Sequence, residues 1–437
     1  MKDVTKISFI GTGHMGRPMI FKLLDKGYHV QVYDKYKETA ETVVAAGALW
    51  KDSPKEATEN TDIVMTCLPL PHHVLENMLG ENGAIEGMRK GMTWIDSSTT
   101  DYHNTKHIAG VVAEKGIFSL EAPVSNLSHM GVDFANVAFY LGGDKPGFDD
   151  TEQTLNTMGK KCFYVGEIGR GQTVKLFTNM LYYSAMVFWG EVLLITKASG
   201  IPLRWMWDFI KASKGNCFAT EQMTPFILDG SYDYSCTLEI TVKDTGLTVD
   251  LAEELNVPLP IGRIVEERYR QTGDKYPAHD NQLLIVKLVE EENHTELREP
   301  GFTAPSKYGA NRNYIMPNKF EEDEYGRVKP KLPASYKSPE YHLEPNLIDV
   351  AQILSNFMAY VNYASLHECY MLGRNMKLEQ GLLKEVVRWS VGPSWVSDHE
   401  DSFQPEKGVL EKMKALEVAN KNLHLPAIRK FLSLYLS

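Results

Sequence analysis

The chain has few cysteines, no basic stripe and no long apolar run. Its five cysteines (Cys67, Cys162, Cys217, Cys236 and Cys369) form no C-x-x-C pair and are odd in number, which fits small buried thiols in a reducing compartment. The net charge of −11 argues against a polyanionic partner, because nucleic-acid binding rests on phosphate neutralisation by Lys and Arg. No stretch reaches the ~18 consecutive apolar residues of a membrane helix, so no membrane is expected as a partner. The opening "MKDVTKISFIGTG" enters a strand-like run at once, so no signal peptide is expected. A cytoplasmic globular protein is expected. His72, His73 and His129 show no metal-ligand spacing, and no metal is expected.

At 437 residues the chain is too long for one ordinary core, and two or three domains are expected. Over residues 1–168 short apolar runs ("KISFIG", "HVQVYD", "DIVMTCL", "TWIDSS", "IFSLEA", "VAFYLGG") alternate with helical patterns, among them "GRPMIFKLLDKG". That grammar predicts an α/β Rossmann-type, doubly wound and mostly parallel sheet. From Gly171 the grammar changes. "QTVKLFTNMLYYSAMVFWGEVLLITKASG" reads as one helix, apolar nearly all round and therefore buried. It belongs to an all-α domain expected over 169–296. Residues 297–345 are rich in Pro, Tyr and charge without periodicity, and read as a linker or surface wrap. Residues 346–437 read as helical again.

The second helical region repeats the first. A shift of 177 places Asn179 on Asn356, Tyr183 on Tyr360, Glu191 on Glu368, Ser213 on Ser390 and Gly215 on Gly392, while Lys175 falls on Gln352. At a different offset "NVPLP" (256–260) matches "NLHLP" (422–426). The agreement in order and spacing suggests a duplicated all-α domain; two unrelated buried helices of similar composition are the alternative.

Two groups of residues carry chemistry. "GTGHMG" (Gly11, Gly13, Gly16) follows the first strand and opens the first helix, so its glycines would make the tight turn, admit a pyrophosphate and let helix pack on strand. Asp34, at the end of the second strand, stands where a carboxylate meets ribose hydroxyls and repels a 2′-phosphate, which favours NAD over NADP; Lys35 beside it could partly offset that repulsion. Further on, Lys175 and Asn179 are spaced i, i+4 and share one face of the buried helix. A lysine desolvated there can take and return a proton, with Asn179 fixing a hydroxyl or carboxylate. The alternative is a lysine that snorkels out at a helix end. Trp205, Trp207 and Phe209 read as core.

These motifs together resemble the β-hydroxyacid dehydrogenase family, the group of the 3-hydroxyisobutyrate and 6-phosphogluconate dehydrogenases, over about residues 5–270. "FIGTGHMGRPM" resembles its dinucleotide signature, which implies Gly11, Gly13, His14, Met15 and Gly16 along the cofactor. "CLPLPHHV" implies cofactor contacts from Leu68, Pro69 and His73, and "IDSST" implies Thr99 near the nicotinamide. "EAPVS" resembles the substrate loop carrying Ser125. "GRGQTVKLFTN" resembles the catalytic segment and supplies Lys175 and Asn179. "KDTGLTVDLAEELNVPLP" resembles the late Lys-Asp motif, whose Lys243 would reach cofactor or substrate. The loop departs from the family's Ser-Gly-Gly: here Ser125-Asn126-Leu127 line the substrate, so the usual small hydroxy acid is in question, and His129 could join them. Thr178 replaces the first asparagine of the family's Asn-Asn pair, where the 6-phosphogluconate enzymes carry histidine.

The resemblance implies an NAD-dependent oxidoreductase acting on a small-molecule substrate, a β-hydroxy acid or related hydroxymethyl or aldehyde compound. An imine reductase-like enzyme, which generally lacks the lysine, and a catalytically silent NAD-binding scaffold are the alternatives. A homodimer is compatible with the family. The uncharged copy, residues 346–437, is expected to pack on residues 171–296 as a pseudo-twofold pair and to help wall the site around Lys175, with Gln352 structural.

Overall fold

The computed structural model describes residues 5–125, 137–233, 236–304, 320–323, 328–330 and 339–436. The chain divides into two compact units, Met1–Leu176 with Gly326–Val328, and Phe177–Tyr325 with Lys329–Ser437.

The first unit is built on strands β1 (Lys6–Ile10), β2 (His29–Tyr33), β3 (Leu49–Trp50), β4 (Ile63–Thr66), β5 (Thr93–Asp96), β6 (Phe118–Glu121), β7 (Val124–Ser125), β8 (Ala138–Gly143) and β9 (Lys161–Gly166). Their order is β3-β2-β1-β4-β5-β6-β8, with β7 and β9 also on β8. Pairing from β3 through β6 is parallel, and β8 runs antiparallel to β6 and β7 but parallel to β9. Alternate residues serve opposite faces. Ile7, Phe9, Ile63, Met65 and Ile95 enter one core with Met19, Ile20 and Leu23 of helix α1 (Gly16–Asp25). Ile10, Val64 and Trp94 enter the other with Val74, Met78, Ile108 and Val112. A sheet covered on both faces writes continuous apolar runs, as this sequence does.

Helices complete the unit: α2 (Glu41–Ala45), α3 (Pro54–Thr58), α4 (Pro71–Leu79), α5 (Ala84–Gly87), α6 (Tyr102–Glu114) and α7 (Lys145–Met158). The strand order reverses between β1 and β4, and the loops at the carboxyl ends of these strands form the crevice where doubly wound sheets bind ligands.

Helix α8 (Arg170–Ala198) begins in the first unit and continues in the second. The second unit adds α9 (Leu203–Lys211), α10 (Phe218–Leu228), α11 (Leu238–Glu254), α12 (Pro260–Lys275), α13 (Leu284–Glu292), α14 (Pro345–Asn375), α15 (Gln380–Arg388), α16 (Trp395–Asp398), α17 (Lys407–Ala419) and α18 (Pro426–Tyr435). Its core includes a triangle of buried rings: Phe188 of α8, Phe357 of α14 and Phe431 of α18, with centroids 5.3–6.2 Å apart. Trp207 is fully buried, and Trp205 stacks on Phe209 at 5.0 Å.

Of the segment expected to be a wrap, residues 297–304 are tied to the helices. Leu297 is buried and its N–H donates to Glu290, and the Ala304 N–H donates to Asp229. Phe320–Glu322 and Val328–Pro330 pair as two short strands; much of the remainder lies outside the described residues. No described helix is long and apolar enough to cross a membrane.

Candidate active site

The glycine turn after β1 is dictated by its neighbours. Gly11 has φ +103°, and a Cβ there would stand 2.3 Å from the Cys67 carbonyl oxygen at the end of β4. A Cβ on Gly16 would stand 2.0 Å from the Gly11 carbonyl oxygen. These two glycines let strand, turn and helix close on one another. Gly13 is different: a Cβ there would meet nothing within 4 Å, so its open side is available to a group arriving from outside. No side-chain hydrogen bond caps the N-terminus of α1 at Met15, so the turn can serve a phosphate. His14 is exposed and Met15 packs on the core below. The turn fits a dinucleotide pyrophosphate.

Asp34 lies just past β2, half-buried, and already works on the turn. Its Oδ2 accepts the Thr12 N–H at 2.7 Å and the Thr12 hydroxyl at 3.1 Å, while Oδ1 accepts the Tyr36 N–H at 3.0 Å. Each carboxylate oxygen keeps acceptor capacity for a ribose hydroxyl. The Lys35 ammonium lies 5.9 Å from the Tyr36 ring centroid.

The ends of β4 and β5 are laced together. Asp96 Oδ1 accepts the Thr66 hydroxyl at 2.8 Å and the Ser98 N–H at 3.0 Å, and the Ser98 hydroxyl accepts the Leu68 N–H at 2.9 Å. This network fixes the Leu68-Pro69 step, and Pro71 and His73 begin α4 directly after it. The half-buried Thr99 is held from both sides by one side chain. Gln172 of α8 donates Nε2–H to the Ser98 carbonyl at 2.9 Å and accepts the Thr100 N–H on Oε1 at 3.1 Å. Glu121, at the end of β6, accepts the Gly171 N–H at 2.5 Å and anchors the start of the same helix; burial pushes its carboxyl up to about 8. The head of α8 is therefore fastened to the strand ends.

Lys175 stands one turn beyond Gln172. It is half-buried, whereas every other residue of 171–180 is buried. Lys175, Asn179 and Tyr183 fall at i, i+4 and i+8, one stripe along α8. In the second unit the stripe meets α11 at Asp244, only 1% exposed. Asp244 Oδ2 accepts Nδ2–H of Asn179 at 2.8 Å and the Tyr183 phenol at 3.2 Å, and Lys243 Nζ lies 3.1 Å from Oδ1. The Lys243 side chain is 12% exposed. Burial, then the charge of Asp244, raises the Tyr183 phenol well above its ordinary value, so it stays a proton donor.

Of these residues the sequence assigns roles to Asn179 and Lys243 only; Asp244 enters as the second residue of the Lys-Asp motif and Tyr183 as a repeat position, both without a role in the site, and Gln172 does not enter. Two signals were present: Asp244 follows Lys243 directly, and Tyr183 continues the four-residue spacing from Lys175 through Asn179. Ser125, on β7, is 1% exposed and its hydroxyl has no partner among the described residues. A buried hydroxyl without a bond suits a ligand contact. Asn126, Leu127 and His129 lie outside the described residues.

Comparison with known proteins identifies dehydrogenase domains along residues 6–289. The family model described as the NAD-binding domain of 6-phosphogluconate dehydrogenase matches residues 6–166, and that described as NAD-binding of NADP-dependent 3-hydroxyisobutyrate dehydrogenase matches residues 169–289. Mitochondrial 3-hydroxyisobutyrate dehydrogenase of Rattus norvegicus is 30% identical over 303 residues, 67% of this chain and 89% of the relative. The 2-(hydroxymethyl)glutarate dehydrogenase of Eubacterium barkeri is 32% identical over 292 residues, 67% of this chain and 97% of the relative. The solved structure of 3-hydroxyisobutyrate dehydrogenase from Mycobacterium tuberculosis with L-serine superposes with a TM-score of 0.59 at 25% identity, covering 65% of this chain and 99% of that one.

A Rossmann-type unit with an open glycine turn, continued by a helical unit, is the plan of a nicotinamide-dependent oxidoreductase. The chain belongs to the β-hydroxyacid dehydrogenase family. It is accordingly an NAD(P)-dependent dehydrogenase or reductase with a small-molecule substrate.

Proposed function

We propose that the protein moves hydride between NAD and a small carboxylic acid bearing a hydroxymethyl or aldehyde group, with Lys175 as general acid and base. The observation that carries this reading is the stripe Lys175–Asn179–Tyr183, half-buried at the lysine and fastened at its head through Gln172 to the segment around Thr99. The named substrates of the relatives point the same way. 3-Hydroxyisobutyrate, 2-(hydroxymethyl)glutarate and succinic semialdehyde, the last from a reductase of Arabidopsis thaliana that is 31% identical over 280 residues, all join a carboxylate to a hydroxymethyl group or its aldehyde.

In this reading residues 1–168 hold the nucleotide and 169–296 supply the chemistry. Gly11, Gly13, His14, Met15 and Gly16 would hold the pyrophosphate, Asp34 the ribose hydroxyls, and Leu68, Pro69, His73 and Thr99 the nicotinamide half. NAD, when held there, would supply the hydride acceptor, and NADH the donor in the reverse direction. Lys175 Nζ takes the proton of the substrate hydroxyl as its carbon is oxidised, and returns it in reduction. Asn179, its amide oriented by Asp244, positions the substrate oxygen. Lys243, held by the same carboxylate, offers a positive charge to the acid group or the cofactor. Ser125 donates to the substrate; Asn126 and Leu127, expected beside it from the sequence, lie outside the described residues. Asp34 disfavours the 2′-phosphate of NADP.

The test is a panel of hydroxymethyl acids with NAD and of the matching aldehydes with NADH, run on the wild type and on Lys175→Ala. The variant should bind NADH as the wild type does and lose ~10²–10⁴-fold in turnover. Near-normal turnover removes Lys175 from the mechanism. Activity only on cyclic imines would replace the alcohol reading altogether.

A further inference from the structure

The second unit contains a set of contacts that come in mirrored pairs. We infer that residues 345–436 are a second copy of the helical repeat beginning at Arg170, and that this copy covers within one chain the face which the first copy would otherwise offer to another chain.

Element boundaries give the first support. At an offset of 177, the end of α8 at Ala198 falls on the end of α14 at Asn375, and α9 (Leu203–Lys211) falls on α15 (Gln380–Arg388) at both ends. The start of α10 at Phe218 falls on the start of α16 at Trp395. Each of those starts carries the same reciprocal capping box, Cys217 with Thr220 and Ser394 with Ser397. After a deletion in the second copy the offset becomes 166, and Pro260, opening α12, falls on Pro426, opening α18. Two unrelated helical regions have no reason to share boundaries and caps in register.

The contacts between the copies obey the same exchange. The Phe218 N–H donates to the Pro393 carbonyl at 3.0 Å, and the Trp395 N–H donates to the Asn216 carbonyl at 2.9 Å. Cys217 and Ser394, equivalent residues, thereby face each other as an antiparallel bridge. A residue paired with its own equivalent sits on a twofold axis. A Cβ on Gly215 would stand 2.4 Å from the Ser355 carbonyl oxygen, and one on Gly392 would stand 2.9 Å from the Thr178 carbonyl oxygen. Thr178 and Ser355 are equivalents, as are the two glycines.

The most telling pair is buried. Glu191 of the first copy accepts the Ala427 and Ile428 N–H groups, both at 2.9 Å, at the start of the second copy's α18. Glu368, its equivalent, accepts the Ile261 and Gly262 N–H groups at 2.7 and 3.0 Å at the start of the first copy's α12. Each copy thus caps a helix of the other with the same residue. Such an exchange of caps is an isologous interface, here closed within one chain.

The test uses the full chain. Cys217 and Ser394 form a non-hydrogen-bonded antiparallel pair, for which Cα atoms stand ~4.5 Å apart, within disulfide range. Ser394→Cys keeps the cap, since Cys217 already performs it in the first copy. Mild oxidation should link position 394 to Cys217 within one chain, giving a monomer on a non-reducing denaturing gel and one linked peptide pair by mass spectrometry. A covalent dimer would show that the copies pair between chains, and absence of the link would show that they do not pair so; either overturns the inference. A second measurement needs no variant. Lys430 of the second copy forms an ion pair with Glu267 of the first, so carbodiimide should couple them in the wild type. The 267–430 product must migrate as a single chain, and a two-chain product refutes the inference.

Discussion

Asp244→Asn changes one atom at the point where three side chains converge. The amide can adopt two orientations, and neither serves all three partners. With its oxygen at the Oδ2 position it keeps Asn179 and Tyr183 as neutral hydrogen bonds but turns an NH₂ toward Lys243, 3.1 Å from the present Oδ1. Flipped, it serves Lys243 and sets donors against the Asn179 amide and the Tyr183 phenol. In the first orientation two charge-assisted bonds become ordinary ones, a loss of about 1 kcal/mol each, and the ammonium of Lys243 faces a donor. Breaking a buried ion pair from one side costs about 3–5 kcal/mol. The Lys243 side chain is 12% exposed and can turn partly to water, so about 3 kcal/mol in all is expected.

The consequence for activity follows from placement. Asn179 loses its fixed orientation and Lys243 its anchor, and misplacement on the order of 1 Å can cost about 10²-fold. The assay is denaturant unfolding followed by a helix-specific probe, together with kcat and KM on the best substrate. A double-mutant cycle with Tyr183→Phe gives the coupling between the two positions. Stability within about 0.5 kcal/mol of wild type, which is the ordinary range for a surface change, together with unchanged kcat/KM, would refute the role assigned to Asp244.

Wild type should show a higher kcat/KM with NAD than with NADP, and Asp34→Ser should narrow the gap; equal values in the wild type would show that Lys35 or a neighbour cancels the carboxylate. Gln172→Ala leaves the Ser98 carbonyl and the Thr100 N–H unpaired in a buried place, at about 1–3 kcal/mol each, and should lower kcat more than it raises KM for substrate; unchanged kinetics would detach the Thr99 segment from the reaction. Burial pushes the Glu191 carboxyl from 4.5 to about 7 against the pull of the Ile428 and Ala427 N–H groups. The folded protein therefore keeps a proton that the unfolded chain releases, so the contribution of this group to stability falls as pH rises from about 4.5 to 7 and is flat above. Glu191→Gln removes that slope, and the stability of wild type relative to the variant should fall by about 3 kcal/mol across this window; a constant difference would show that Glu191 does not titrate there.

The sheet was legible in the sequence because burial on both faces leaves uninterrupted apolar strands, and the glycine turn because Gly11 and Gly16 sit where backbone meets backbone at 2.0–2.3 Å if a Cβ is added. The stripe on α8 was half legible. Lys175 stands out as a charge in an apolar helix, and Asn179 follows by spacing. Asp244 entered as the second residue of the Lys-Asp motif but without a role of its own, since its bond to Asn179 spans 65 residues. Gln172 was invisible for a similar reason: its two bonds go to backbone, which leaves no sequence trace. Asp34 was read for its ribose role alone, while the structure also gives it the Thr12 N–H and hydroxyl to hold.

The proposed repeat bears on why the charged cluster exists at all. At the offset of 166, Lys243 and Asp244 fall on Val409 and Leu410, and Leu410 is fully buried. At the offset of 177, Lys175 falls on Gln352, which is exposed and donates to Asn356 at 3.0 Å. The second copy therefore keeps the asparagine and tyrosine of the stripe but loses both lysines and the aspartate. Replacing a buried ion pair by apolar side chains is commonly neutral or stabilising by about 1–4 kcal/mol, so a copy that serves only as support gains from the exchange. The first copy has kept the pair, and packing does not require it, because the equivalent place in the second copy is filled by Val and Leu. The chemistry proposed for the neighbouring stripe is then what accounts for Lys243 and Asp244. Grafting the pair back as Val409→Lys with Leu410→Asp should accordingly lower stability and add no second activity, whereas a graft that left stability unchanged would mean that the cluster is ordinary packing in both copies.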